Sequence, residues 1–109
     1  MSDRLYRRVR VNIDAEIITY NVPYPAFISD ISERGIHLKI ANMGPSKLSK
    51  PETKVDLKFR LPSGETIKLF CRGKWSCKNT SKSVIENIGV EVIDPPDEYK
   101  EFCRLMSPV

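Results

Sequence analysis

Two groups of polar residues in the first third of the chain have types and spacing suited to binding an anionic ligand. Arg4 and Arg8 are separated by three residues, and Asp30, Ser32 and Gly35 follow as Asp-x-Ser-x-x-Gly. A guanidinium binds phosphate oxygens bidentately, matches the O6/N7 edge of guanine and stacks on bases. The Asp30 carboxylate matches the N1–H and N2–H₂ donors of guanine, and the Ser32 hydroxyl can donate to phosphate. At Gly35 we expect a positive φ and a close approach of the backbone to the ligand.

Alternation of apolar and polar residues predicts the elements that must position these side chains. The predicted strands cover residues 9–17, 26–31, 36–40, 55–61, 66–78 and 88–92. Turns or loops are predicted at 21–25, 32–35, 41–53, 62–65 and 79–86, where Gly, Pro, Asn and Ser accumulate. Beyond Asp94 the apolar period becomes helical, and prolines and acids mark a helix start over 95–107. We therefore predict a mainly β protein, a six-stranded antiparallel β-barrel with a C-terminal α-helix.

Gly73 interrupts the long fifth strand and predicts a bulge or a close backbone approach. Trp75 shares its parity with Leu69 and Cys71, so packing in the core is the first interpretation. A bulge at Gly73 would reverse the parity and place Trp75 on the ligand surface, which is the second interpretation.

The two motifs, Trp75 near the end of a long strand, and the apolar run 88–93 before the helix together resemble the PilZ domain family. The resemblance covers nearly the whole chain. It implies one PilZ-like domain over 1–109, with an arginine-rich arm at 1–8, a barrel at 9–93 and the helix at 95–107. It also implies a cyclic di-GMP site formed by Arg4, Arg8, Asp30, Ser32 and Gly35. Additional ligand contacts are predicted for Arg7, Arg10, Arg34 and Trp75.

The implied function is that of a cyclic di-GMP receptor, a small cytoplasmic signalling adaptor in bacterial motility or exopolysaccharide regulation. We expect the arm to be mobile when empty and to order over the bound nucleotide, which changes the surface shown to a downstream protein partner. Asp3, directly before Arg4, disfavours a second anionic ligand and predicts one nucleotide per site. The alternative is a PilZ-like interaction module that binds no nucleotide.

Composition limits the other function classes. A net charge of +4 and a pI near 9.1 favour an anionic partner. A nucleic-acid-binding barrel is less favoured, because the strands lack clustered exposed aromatic residues. No apolar run is long enough for a membrane span. Three cysteines and His37 form no metal motif and no nucleophile–base pair, so we expect neither a cofactor nor an enzyme. His37 is predicted to be an exposed strand residue with no candidate cysteine or acid partner in a triad-like arrangement.

Overall fold

In a computed structural model, residues 8–41, 54–78 and 85–106 are described, and they form six strands and one helix. The elements are β1 (Val9–Thr19), β2 (Val22–Ile31), β3 (Gly35–Ala41), β4 (Lys54–Arg60), β5 (Thr66–Lys78), β6 (Ile85–Ile93) and α1 (Asp97–Met106). The strands close into an antiparallel barrel in the order β1-β2-β3-β6-β5-β4. This confirms the predicted fold class.

Along each strand, side chains point alternately into and out of the barrel, and the inward-pointing ones fill its interior. Its most buried side chains come from all six strands and include Ile17, Ile28, Leu38, Leu57, Leu69 and Val92. One end is covered by α1, whose Tyr99, Phe102 and Cys103 are buried. The rings of Tyr99 and Phe102 lie 6.3 Å and 6.4 Å from that of Phe59 on β4. Aromatic contacts of this kind add to the burial of apolar area, so α1 is held against the barrel.

The first hairpin differs from the prediction, which ended β1 earlier and began β2 only at residue 26. Tyr20 and Asn21 have φ values of 51° and 62°, so both central residues adopt the left-handed conformation that a type I′ turn requires. A two-residue turn leaves Thr19 and Val22 as the closing pair, and β2 therefore begins at Val22.

Two prolines are accommodated inside β2, where the sequence pattern predicted a break. The closing pair of a two-residue hairpin is hydrogen-bonded, so alternation places Pro23 and Pro25 at non-hydrogen-bonded positions opposite β1. Their nitrogen atoms face the other side of β2, where pairing with β3 begins only at Ala26. The missing N–H groups therefore cost no ladder bond.

The sixth strand also begins earlier than predicted, at Ile85 instead of residue 88. Glu86 shares the inward parity of Ile88 and Val90 and is only 1% exposed. Neither of its carboxylate oxygens has a hydrogen-bond partner in the described part of the chain. Because Glu86 is a charged residue at an inward-pointing position, the alternation of apolar and polar residues is interrupted there. The sequence pattern therefore assigned residue 86 to a turn. Among the described residues no helix is long and apolar enough to cross a bilayer.

Candidate functional site

A row of residues in register crosses five strands of the barrel. Arg10 on β1 is opposite Asp30 on β2, which is opposite His37 on β3. His37 is opposite Gly89 on β6, and Gly89 is opposite Trp75 on β5. The interior is filled by the other parity, so Arg10, Asp30 and His37 belong to the outer face, and Arg10 is exposed there.

Three bulges create this alignment. The register shifts between Arg10 and Ile13 in β1 and between Ile28 and Asp30 in β2, so Asp30 is flanked by irregular pairing on both sides. A third shift, between Gly73 and Trp75, confirms the bulge that the glycine predicted in β5. Bulges redirect side chains at functional sites, and here they bring one acidic and one imidazole side chain together.

The Asp30 carboxylate lies between two nitrogen-bearing side chains. Arg8 Nη1 donates to Asp30 Oδ1. On the other side, His37 Nδ1 lies 3.3 Å from Asp30 Oδ2, and His37 Nε2 lies 3.2 Å from Asn87 Oδ1. The Arg8 side chain is 57% exposed, whereas that of Asp30 is 22% exposed. A partly buried carboxylate therefore holds one terminal nitrogen of a guanidinium that stays accessible to solvent.

His37 is thus only partly exposed, instead of exposed as predicted, and Asp30 is an acidic neighbour that the sequence did not reveal. Its two contacts join residues on β2 and β6, and Asn87 lies 50 positions away along the chain. Parity alone places His37 on the outer face but does not reveal a neighbour that only the closed barrel supplies. The structure adds His37 and Asn87 to the residues around Asp30.

The Ser32 hydroxyl is used inside the turn between β2 and β3. It accepts from the Gly35 N–H at 3.0 Å and lies 3.2 Å from the Gly35 carbonyl, to which it donates. The Ser32 N–H donates to the same carbonyl at 2.8 Å. Ser32 is only 4% exposed, so its established contacts are those of a turn-stabilising serine.

Gly35 differs from the prediction of a positive φ. It is the first residue of β3 and is paired with Glu91, and among the described glycines only Gly64 has a positive φ. The predicted close approach is found instead, with Arg8 as the neighbour. A Cβ at residue 35 would lie 3.3 Å from Arg8 Nη2. The absence of a side chain at residue 35 therefore leaves room for the guanidinium where it lies, and the turn itself needs no positive φ there.

Of the remaining predicted site residues, some lie outside the described part of the chain and one is described. Arg4 and Arg7 lie outside the described residues, as does the side chain of Trp75. Arg34 is exposed, and its carbonyl accepts the Val92 N–H at 2.9 Å, which ties the turn to β6. None of these residues contributes a described side-chain contact to Asp30.

A second basic group borders the site in the next outward-facing row. Gly35 is opposite Glu91, which is opposite Arg72 on β5. Arg72 Nη1 and Lys74 Nζ lie 3.8 Å and 3.4 Å from Glu91 Oε1. One carboxylate thus faces two cations, which leaves an excess of positive charge beside Gly35. The sequence showed these residues only as part of a polar strand face.

Buried thiols and a buried phenol lie beneath this surface. Burial raises the pKa of Cys71 to about 12 and that of Cys103 to about 11. Burial also raises the pKa of Tyr99, so its hydroxyl stays protonated and donates to the Ser32 carbonyl at 2.5 Å. Among the residues that the structure describes, no three His, Cys, Asp or Glu side chains are grouped to hold a metal ion.

The PilZ domain family matches residues 2–104 of the chain, a range that includes the arginine pair, the Asp-x-Ser-x-x-Gly turn and most of α1. The chain belongs to the PilZ domain family. Domains of this family are generally cyclic di-GMP receptors and are typically receptor or adaptor modules instead of enzymes. No curated protein matches the chain by sequence.

Two solved structures show the same PilZ fold at low sequence identity. The Bacillus subtilis inhibitor of motility, MotI/DgrA, superposes with a TM-score of 0.74 at 16% identity, over 97% of this chain and 50% of that one. This chain thus spans half the length of MotI/DgrA. The PilZ domain of YcgR from Escherichia coli, solved with c-di-GMP, superposes with a TM-score of 0.71 at 8% identity, over 93% and 86% of the two chains.

Proposed function

We propose that the chain is a cyclic di-GMP receptor whose nucleotide binds beside the β2–β3 turn, on Arg4, Arg8, Asp30, Ser32 and Gly35. The observation that carries the proposal is the placement of Arg8. Its guanidinium is held by Asp30 and fits against a glycine that has no side chain to exclude it. The family membership supports the choice of ligand.

The chemistry of the site fits an anionic guanine nucleotide. Cyclic di-GMP has two phosphates and two guanines, and a guanidinium binds both groups through bidentate hydrogen bonds. Asp30 uses one oxygen for Arg8 and the other for His37. Each carboxylate oxygen has a further lone pair, so Asp30 can hold Arg8 and still accept from the N1–H and N2–H₂ of guanine. The excess of Arg72 and Lys74 over Glu91 adds long-range attraction for phosphate.

Signalling follows from the position of the arm. In the proposed complex the residues before β1 close over the nucleotide, so that Arg4 and Arg8 both contact it and Arg7, Arg10, Arg34 and Trp75 lie near it. A ligand shifts this equilibrium only if it binds the closed arm more tightly than the open one. The closed arm would form part of a surface for a downstream protein, and such a receptor would act in the bacterial cytoplasm. The acidic Asp3 favours one nucleotide per site.

Isothermal titration with cyclic di-GMP tests the proposal, with GTP and cyclic di-AMP as competitors for specificity. We expect saturable binding of cyclic di-GMP alone. Arg8→Ala should weaken it by about 10- to 150-fold, because hydrogen bonds to charged groups contribute about 1.5–3 kcal/mol. Arg104→Ala is the matched control, since Arg104 is also an exposed arginine paired with a carboxylate, that of Glu101.

The outcomes separate the two candidate functions. Equal loss in Arg8→Ala and Arg104→Ala would mean that general positive charge, and not the site, attracts the ligand. Absence of heat with wild-type protein, together with an unchanged NMR spectrum, would refute the receptor function and leave a PilZ-fold interaction module.

A further inference from the structure

A hydrogen bond joins α1 to the turn of the proposed nucleotide site. The Tyr99 hydroxyl donates to the Ser32 carbonyl at 2.5 Å, across 67 positions of sequence. Both residues are buried, with exposures of 0% for Tyr99 and 4% for Ser32. A buried hydrogen bond of this kind has no water to replace either partner.

Tyr99 is fixed on its own side of this bond by packing. Its ring meets Phe59 of β4 in an edge-to-face arrangement at 80°, and its hydroxyl lies within reach of Cys103, one helical turn further along α1. The ring therefore has no free space in which to turn away. The position of its hydroxyl oxygen therefore depends on how α1 packs against the barrel.

The turn is anchored both within itself and on its neighbours. The N–H and hydroxyl of Ser32 both bond to Gly35, the first residue of β3, which is paired with Glu91 of β6. The Arg34 carbonyl also accepts a hydrogen bond from β6, whereas the Ser32 carbonyl accepts one from Tyr99 of α1. One end of the turn is thus anchored on β6 and the other on α1.

We propose that Tyr99 is a positioning residue for the nucleotide site, because it fixes the Ser32 peptide and with it the turn that Gly35 and Arg8 share. This inference rests on the proposed function, since it identifies α1 as a part of the receptor that determines affinity. By linkage, a protein partner that displaces α1 weakens nucleotide binding by the same factor by which the nucleotide weakens that partner.

The test is Tyr99→Phe, which removes the hydroxyl and keeps the ring. We expect the Kd for cyclic di-GMP to rise by up to about tenfold, the limit set by one hydrogen bond of about 1.4 kcal/mol, because the released turn leaves the conformation that binds the nucleotide. Phe102→Leu is the matched control, because Phe102 is buried on the same helix and contacts the same Phe59 but makes no described bond to the turn. Both variants should unfold at lower denaturant concentration than wild type. Only Tyr99→Phe should weaken binding.

Amide chemical shifts give a second readout in the protein without nucleotide. In Tyr99→Phe the amides of Glu33, Arg34 and Gly35 should shift, whereas in Phe102→Leu they should keep their wild-type positions. Unchanged turn amides and an unchanged Kd in Tyr99→Phe would overturn the inference, as would equal weakening in both variants. If the wild-type protein binds no cyclic di-GMP, the proposed function fails, and the turn amides alone then decide whether Tyr99 positions the turn.

Discussion

Replacement of Gly35 by alanine should reduce nucleotide binding while leaving the fold intact. The new Cβ would lie 3.3 Å from Arg8 Nη2, 3.6 Å from the Val90 carbonyl oxygen and 3.7 Å from Ser32 Oγ. Only the first distance is tighter than an ordinary van der Waals contact, and its partner is the end of a flexible side chain. The guanidinium must therefore move, whereas the backbone of β3 can stay in place.

The expected effects on stability nearly cancel. Gly35 does not have a positive φ, so alanine is accepted and stabilises the protein by about 0.4–1 kcal/mol through the unfolded chain. Weakening of the exposed Arg8–Asp30 pair removes about 0.2–1 kcal/mol. The free energy of unfolding should thus change by less than about 1 kcal/mol. Binding should weaken by up to about tenfold, since the displaced guanidinium of Arg8 makes a poorer charge-assisted hydrogen bond to the ligand, a bond whose full contribution is about 1.5–3 kcal/mol.

Titration calorimetry measures binding and urea unfolding measures stability. Gly64→Ala is the control, because there we expect a loss of stability without a loss of binding. Gly64 has a φ of 95° and nothing within 4 Å of an added Cβ, so alanine there is strained but meets no neighbour. We expect Gly64→Ala to lose about 1–2 kcal/mol of stability and to bind normally. Wild-type affinity in Gly35→Ala would refute the argument that glycine is needed for the position of Arg8.

Two further predictions concern His37 and the buried thiols. His37→Phe removes the contact at 3.3 Å to Asp30 Oδ2 and should raise the Kd for cyclic di-GMP by up to about fivefold by calorimetry, since a polar contact of this kind contributes at most about 1 kcal/mol. His37→Gln, which keeps a donor, should lose less affinity, and equal affinities in wild type and His37→Phe would contradict the role of the contact. Burial raises the pKa values of Cys71 and Cys103 from 9.0 to about 12 and about 11, so above pH 9 the unfolded state loses protons that the folded state retains. The contribution of these two thiols to stability should therefore be constant below pH 9 and fall above it. Urea unfolding at pH 7 and pH 10 measures this fall, which should be smaller in Cys71→Val; a fall of the same size in that variant would show that other groups cause it.

The strands, the helix and the bulge at Gly73 could be predicted from the sequence because each depends on residues that are close along the chain. Alternation from Val9 onward and the helical spacing after Asp94 are local patterns of this kind. The early start of β2 was missed because Pro23 and Pro25 normally end strands, and only the pairing pattern of the hairpin makes them acceptable.

The contacts of the site could not be predicted in the same way. Arg8 and Asp30 are 22 positions apart, and Tyr99 and Ser32 are 67 positions apart. Such contacts depend on which strands become neighbours and on the bulges that shift their register. The motif therefore indicates which residues assemble, whereas the barrel determines that Gly35 makes room for Arg8 and that His37 contacts Asp30.

The two prolines of β2 have a consequence for how the domain behaves at high concentration. Among the described residues, β3 pairs with β2 only from Ala26 onward, so Val22 to Pro25 have no described partner strand on that side. An unpaired strand edge is a template on which strands of other chains can add and begin to aggregate. Because Pro23 and Pro25 offer no N–H on that side, a foreign strand finds acceptors without donors and cannot form a regular ladder. The two prolines therefore protect this stretch of β2 from the addition of a foreign strand.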